Sequence, residues 1–199
     1  MSLVESAISF FSGMGAVWLL FILFLIIFID ALIFPMIPEV AVLLVYAFGI
    51  EMFPVLIWAP LVLAVVIAAE LSGTSSLYYL AKRARLPDVI RRKMNAYVDV
   101  LIVRDERLVL VNRAVPVLPV LGAFMAVRGW NVSRSMFYIV IGCAIKYGAI
   151  MMLASWAETY FMNSLSLYVS LGAVLAIICL SLLASYAYRR RARASKERR

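Results

Sequence analysis

The chain has 199 residues, of which 66% are hydrophobic and only 15% charged, with a mean hydropathy of +1.02. A soluble globule is excluded, because its apolar share is about half. The formal charge of +8 is concentrated beside apolar segments, and the absence of His removes the commonest metal ligand and general base. Catalysis is therefore not expected, nor is a cofactor or a metal, and a polytopic all-α membrane protein of one domain is.

The segment Met1 to Gly15 carries Glu5 as its only charge, so it lacks the basic start of a cleavable signal peptide and the first apolar segment is expected to be retained. Val17 to Ile29 is uninterrupted apolar sequence. With the mild residues from Phe10 it reaches the roughly 20 residues needed to cross a bilayer, and Asp30 is expected to close it. A second apolar run, Ala31 to Gly49, is broken by Pro35, Pro38 and Glu39. Proline lacks the N–H donor and crowds the preceding turn, so two of them three residues apart end a helix. Glu51 and Pro54 mark a turn. Val55 to Leu80 is then long enough to cross with tilt, and is broken chemically only by Glu70 and the small polar cluster Ser72 to Ser76. Within it, Glu70, Thr74 and Tyr78 recur every four residues and share one helical face with Gly73 beside it. That face fits a polar cavity, and it fits tight packing through small residues equally well.

Lys82 to Arg107 is the one extended polar segment. Inside it, Ile90, Met94, Tyr97, Val98, Leu101 and Ile102 recur at helical steps, and Pro87-Asp88 supplies a start signal. An amphipathic helix over 88–103 lying on the membrane surface is predicted, with its basic face toward anionic headgroups rather than nucleic acid. Leu108 to Val127 repeats the earlier break through Pro116 and Pro119. Ser135 to Trp156 holds Lys146 in its middle, Leu165 to Tyr188 is free of charge, and Arg189 to Arg199 is a basic tail. Cys143 and Cys179 lie in apolar sequence and read as packing residues. Tyr78, Tyr79, Trp130, Tyr138, Trp156 and Tyr160 read as an interfacial belt.

The two proline breaks suggest a duplication. Glu39 precedes Glu70 by nearly the same spacing as Arg113 precedes Lys146, with acids in one half and bases in the other. Lys82 to Arg107 and the tail are the most basic parts, so both should be cytoplasmic. Three apolar segments separate them, and the parity is restored if 108–128 enters and leaves on one side. The expected architecture is four transmembrane helices plus two oppositely oriented re-entrant hairpins, about 31–50 and 108–128, forming an inverted repeat over residues 1–188. The N-terminus and the 189–199 tail would be cytoplasmic; six complete spans is the competing arrangement. Inverted repeats of this kind place substrate sites where broken helices meet near the midplane.

Glu39, Glu70, Arg113 and Lys146 stand at membrane depth, where each costs about 3 kcal/mol. Their signs cancel, so two buried ion pairs fastening the halves are one reading. The other is a polar path in which Arg113, assisted by Lys146, holds an anionic group while Glu39 and Glu70 exchange protons or compete for Arg113.

The order of segments, with Phe34-Pro35-Met36-Ile37-Pro38-Glu39 and Asn112-Arg113-Ala114-Val115-Pro116, resembles the DedA family of the VTT (SNARE-associated) superfamily over roughly residues 15 to 188. Gly73 and Tyr78 fit its Gly-x-x-x-x-Tyr pattern, and Ser135-Met136-Phe137 leading to Gly142 fits the span after the second hairpin. The departures are specific. Glu39 follows Pro38 directly, the family's acid on the long span falls at Thr74, Pro119 replaces a second arginine, and Lys146 stands where an aromatic residue is common. The resemblance implies lipid translocation in the plasma membrane, by a flippase of polyprenyl-phosphate lipids or a phospholipid scramblase, with membrane lipids and protons as partners and an oligomer compatible with both. The missing arginine leaves ordinary phospholipid open. Alternatives are a proton-coupled exporter of small cations or drugs through Glu39 and Glu70, and a non-transporting scaffold whose charges are struts.

Overall fold

A computed structural model describes residues 15–32, 38–50, 52–84, 92, 94–96, 105–114, 120–160, 172, 176 and 179. The described residues are helical and joined by turns, with no strand among them. Six helices follow in order: α1 (Ala16–Leu32), α2 (Pro38–Ile50), α3 (Val55–Arg83), α4 (Arg107–Ala114), α5 (Leu121–Arg128) and α6 (Val132–Tyr160). Of these, α3 and α6 are long and apolar enough to cross a membrane. Their outer faces carry Leu56, Ile57, Phe137, Ile145 and Met152, all more than 60% exposed. Soluble proteins seldom leave so much apolar surface in water, which agrees with membrane association.

Local sequence explains where the helices stop. Helix α1 ends at Leu32 and α2 begins on Pro38; α4 ends at Ala114 and α5 begins at Leu121. Residues 33–37 and 115–119, which hold Pro35, Pro116 and Pro119, lie outside the described residues. Helix α1 does not close at Asp30, as the sequence suggested, but continues one further half-turn. A single Asp costs a helix interior at most about 0.7 kcal/mol, against about 3 kcal/mol for a proline, so Asp30 alone sets no boundary. Helix α3 ends with Lys82 and Arg83 in its last turn, where positive charge suits the carbonyl end of the dipole. Gly129 closes α5 with φ of 65°, a left-handed conformation that glycine adopts without a Cβ penalty. The Asn131 side chain caps α6 by accepting a hydrogen bond from the Arg134 backbone N–H at 3.1 Å.

Helix α3 is the hub, packed by α1, α2, α5 and α6. The two halves correspond: α1 lies on α3 as α4 lies on α6, and α2 crosses to α6 as α5 crosses to α3. The close contacts use glycine. A Cβ on Gly73 would come within 2.7 Å of the Phe28 carbonyl oxygen of α1, and one on Gly122 within 2.4 Å of the Thr74 carbonyl oxygen of α3. Of the two expectations for span two, tight packing is seen, Gly73 against α1 and the Thr74 carbonyl against Gly122 of α5.

The ends of the segment 107–130 meet. Backbone N–H of Asn131 donates to the Glu106 carboxylate at 3.1 Å, so the start of α4 and the start of α6 lie together. From there the eight residues of α4 cover only about 12 Å, well short of a bilayer core of about 30 Å. Of the predicted surface helix over 88–103, Arg92 and residues 94–96 are described; Arg92 is exposed while Met94 packs against Leu77, Ala81 and Ala123, as an amphipathic segment requires. The remainder of that segment lies outside the described residues, as do Glu51 and the tail. In the fourth predicted span only 172, 176 and 179 are described, all helical.

Two sequence expectations are corrected. Tyr78 and Trp130 are buried in the core rather than placed in a belt, leaving Tyr79 and Trp156 exposed. Both belong to the hydrophobic core that α3, α5 and α6 share. Cys143 is buried as a packing residue, but Cys179 is exposed.

Candidate functional site

Glu39 opens α2, one residue after Pro38, and its carboxylate joins Lys146 Nζ of α6 at 2.5 Å. Arg113 stands near the end of α4, just before the second break, and its Nη1 donates to Glu70 Oε1 of α3 at 2.5 Å. Glu70 and Lys146 each sit near the midpoint of a 29-residue helix. Each pair thus ties a charge beside one half's proline break to the middle of the other half's long helix. All four sequence-selected charges meet partners, in the combination Glu39 with Lys146 and Glu70 with Arg113. Arg113 is paired with Glu70 and Lys146 with Glu39. The reason is register: α2 crosses onto α6, which delivers Glu39 to Lys146 and leaves Arg113 facing α3.

The two pairs differ in burial. The Glu70 and Arg113 side chains are 1% and 13% exposed, against 14% and 26% for Glu39 and Lys146. Glu39 has a further source of stabilisation, since the first turn of α2 presents the positive end of the helix dipole. Tyr46 Oη and Ser155 Oγ lie 2.6 Å apart, further along the same two helices. The contacts Glu39 to Lys146 and Tyr46 to Ser155 advance together, so α2 runs parallel to α6 from its midpoint toward its C-terminal end.

Gly142 explains how Arg113 reaches α3. A Cβ at that position would lie 2.6 Å from Arg113 Cγ, so the arginine stem rests directly on the α6 backbone, one turn before Lys146. The two ion pairs are consequently neighbours. Cys143 and Tyr147, one turn apart on α6 and both fully buried, fall within electrostatic reach of this cluster. Lys146 Nζ also lies 5.2 Å from the Tyr147 ring centroid, within cation–π range. Tyr46 and Tyr147 were not singled out from the sequence. Their signal was present, since Cys143 and Tyr147 share a face at a four-residue step and Tyr147 adjoins an intramembrane lysine.

The Glu70–Arg113 pair is incompletely satisfied. Glu70 Oε2 and Arg113 Nε are buried without a hydrogen-bond partner, as are Thr74 Oγ1 one turn along α3 and Ser135 Oγ on α6. Ser75 Oγ donates to Met136 Sδ at 3.9 Å, which sets the levels: Thr74 and Ser135 stand at about the same height on facing helices. Among the described residues no group of His, Cys, Asp and Glu has the arrangement of a metal site. Outside the cluster, the Asn131 backbone N–H holds the Glu106 carboxyl below its ordinary range, with Arg134 adding to the effect.

Next to Pro119, Val120 adopts φ of 50° at the start of α5. For a β-branched residue this left-handed conformation costs about 1–3 kcal/mol, and it lies at the mouth of the second break. Comparison of the chain with protein-family models, with curated proteins and with solved structures yields no match.

Proposed function

We propose that the chain is a membrane lipid translocator of the DedA/VTT type, a flippase or scramblase for phospholipids or polyprenyl-phosphate lipids. The anionic headgroup would pass the Glu39–Lys146 and Glu70–Arg113 pairs while the lipid tails remain in the bilayer. Four transmembrane helices and two re-entrant hairpins entering from opposite faces would frame this route, in the plasma membrane with both termini cytoplasmic. Support for the second hairpin comes from the Glu106–Asn131 hydrogen bond, which brings the ends of 107–130 together, and from the shortness of α4 and α5.

The observation that carries the reading is the crossed, incompletely satisfied charge cluster. A buried ion pair repays its desolvation only when its remaining donors and acceptors are satisfied. Glu70 Oε2 and Arg113 Nε are not, which is a poor design for a strut and a suitable one for a partner that exchanges. A headgroup phosphate reaching Arg113 must replace Glu70 as its counter-charge. A proton arriving on Glu70 removes the competing carboxylate and frees the guanidinium, which would couple lipid movement to protons. Lys146 is held by Glu39 in the same manner in the other half. This pairing weighs against the cation exporter, because a cation at either acid must displace a fixed ammonium or guanidinium.

The test is transbilayer movement of labelled phospholipid and polyprenyl phosphate in proteoliposomes. Wild type should move at least one of them, and Arg113→Ala should slow that movement on the order of tenfold or more. Absence of movement above protein-free liposomes, in protein confirmed to be folded, would overturn the reading. In the exporter, Glu70→Gln would abolish cation transport while Arg113→Ala would be tolerated.

A further inference from the structure

Among the described residues, the buried polar atoms without a hydrogen-bond partner include four on α3, α4 and α6: Glu70 Oε2, Thr74 Oγ1, Arg113 Nε and Ser135 Oγ. Thr74 is one turn, about 6 Å, from Glu70 along α3, and it stands level with Ser135 across the α3–α6 contact. Ser135 is in turn about 6 Å from Asn131, where α6 begins and where Glu106 and Arg134 are solvent-facing. The hydroxyls thus lie between the buried ion pair and one polar end of the bundle.

The mixture of groups restricts what can satisfy them. A phosphate or other anion would suit Arg113 Nε and the two hydroxyls but would confront the Glu70 carboxylate. A metal cation would suit the carboxylate and hydroxyl oxygens but would confront the guanidinium. Water both donates and accepts, and buried waters typically make about three hydrogen bonds to otherwise unsatisfied groups. We infer that Glu70, Thr74, Arg113 and Ser135 enclose a hydration site, and that this site is the route by which protons from the aqueous end at Asn131 reach Glu70.

The step is a simple one. A proton delivered from bulk water binds Glu70 Oε2, converting carboxylate to carboxylic acid, while Arg113 keeps its charge and loses its counter-ion. The charged and titratable groups facing Glu70 from each packed element are Arg113 on α4, Cys143, Lys146 and Tyr147 on α6, and Glu39 on α2. Asp30 at the end of α1 lies beside the Gly73 contact, and Tyr78 follows on α3 itself. The inference rests on the reading of Glu70 as the proton-binding group of the translocator.

The experiment uses the reconstituted full chain and infrared spectroscopy of the Glu70 carboxylate, its band assigned by difference from Glu70→Gln. After a pH jump, wild type should reach its new protonation level quickly. Thr74→Val with Ser135→Ala should slow that approach on the order of tenfold, whereas Thr74→Ser, which keeps the hydroxyl, should behave as wild type. An unchanged rate in the folded double variant overturns the inference. So does a Glu70 band that does not respond to the pH jump. No transported lipid is needed for this readout. Failure here therefore leaves lipid movement to be judged on its own assay, and failure there leaves the proton route intact.

Discussion

Removing one member of the Glu70–Arg113 pair should harm the fold more than removing both. Glu70→Leu leaves a guanidinium without its counter-charge among buried residues, and Arg113→Met does the same to a carboxylate while preserving the stem that rests on Gly142. Breaking a buried pair from one side costs about 3–5 kcal/mol. With side-chain exposures of only 1% and 13%, little of that is recovered by water. For a chain of this size each kcal/mol shifts the apparent transition by about 2–4 °C, so each single variant should melt about 10 °C below wild type. Glu70→Leu/Arg113→Met replaces both charges by apolar atoms of similar volume, and should return to within about 1 kcal/mol of wild type or exceed it. The assay is thermal unfolding of detergent-purified protein, followed by loss of the monodisperse species, run as a double-mutant cycle. If the double variant is as unstable as the sum of the singles, the two side chains do not form a pair. The same cycle on Glu39 and Lys146 should give a smaller coupling, because those side chains are 14% and 26% exposed and partly screened.

Two further outcomes follow from the packing. Gly122→Ala places a methyl group against the Thr74 carbonyl oxygen and the Tyr78 backbone N, neither of which can rotate away, so α5 must move off α3; purified protein should lose about 1–3 kcal/mol of stability, while Gly148→Ala, with open space around it, should lose none. Glu106 has a folded-state pKa depressed by the Asn131 N–H, so its contribution is complete above the ordinary carboxylate range and disappears as pH falls through the lowered value. Stability of wild type should therefore decline more steeply than that of Glu106→Gln on acidification from about pH 6 to pH 3, and parallel curves would refute the assignment.

The four charges of the cluster were legible in the sequence because ionisable residues stand out in apolar runs. The proline breaks read from the sequence fall between described helices, α1 to Leu32 and α2 from Pro38, α4 to Ala114 and α5 from Leu121, while Pro35, Pro116 and Pro119 lie outside the described residues. Which acid meets which base was not legible. That depends on α2 crossing to α6 and α5 to α3, a property of tertiary register that neither spacing nor sign encodes. The same limit applies to Trp130 and Tyr78, whose position near segment ends suggested an interface while packing drew them inside. Asp30 misled for a different reason, since its charge read as a boundary although one aspartate does not stop a helix.

The crossed pairing has a consequence for how the protein is made. Synthesis proceeds from the N-terminus, so Glu39 and Glu70 are both threaded toward the bilayer before either base exists, and Arg113 follows Glu70 by 43 residues. At about 5–20 residues per second, an acidic first half waits several seconds for its counter-charges. Until the second half arrives, Glu39 and Glu70 lack the partners that the folded protein gives them. The order of the two halves in the gene thereby sets the order of charge, and a chain with the halves exchanged would present its bases first, of which the arginine stays charged while a buried lysine can shed its proton.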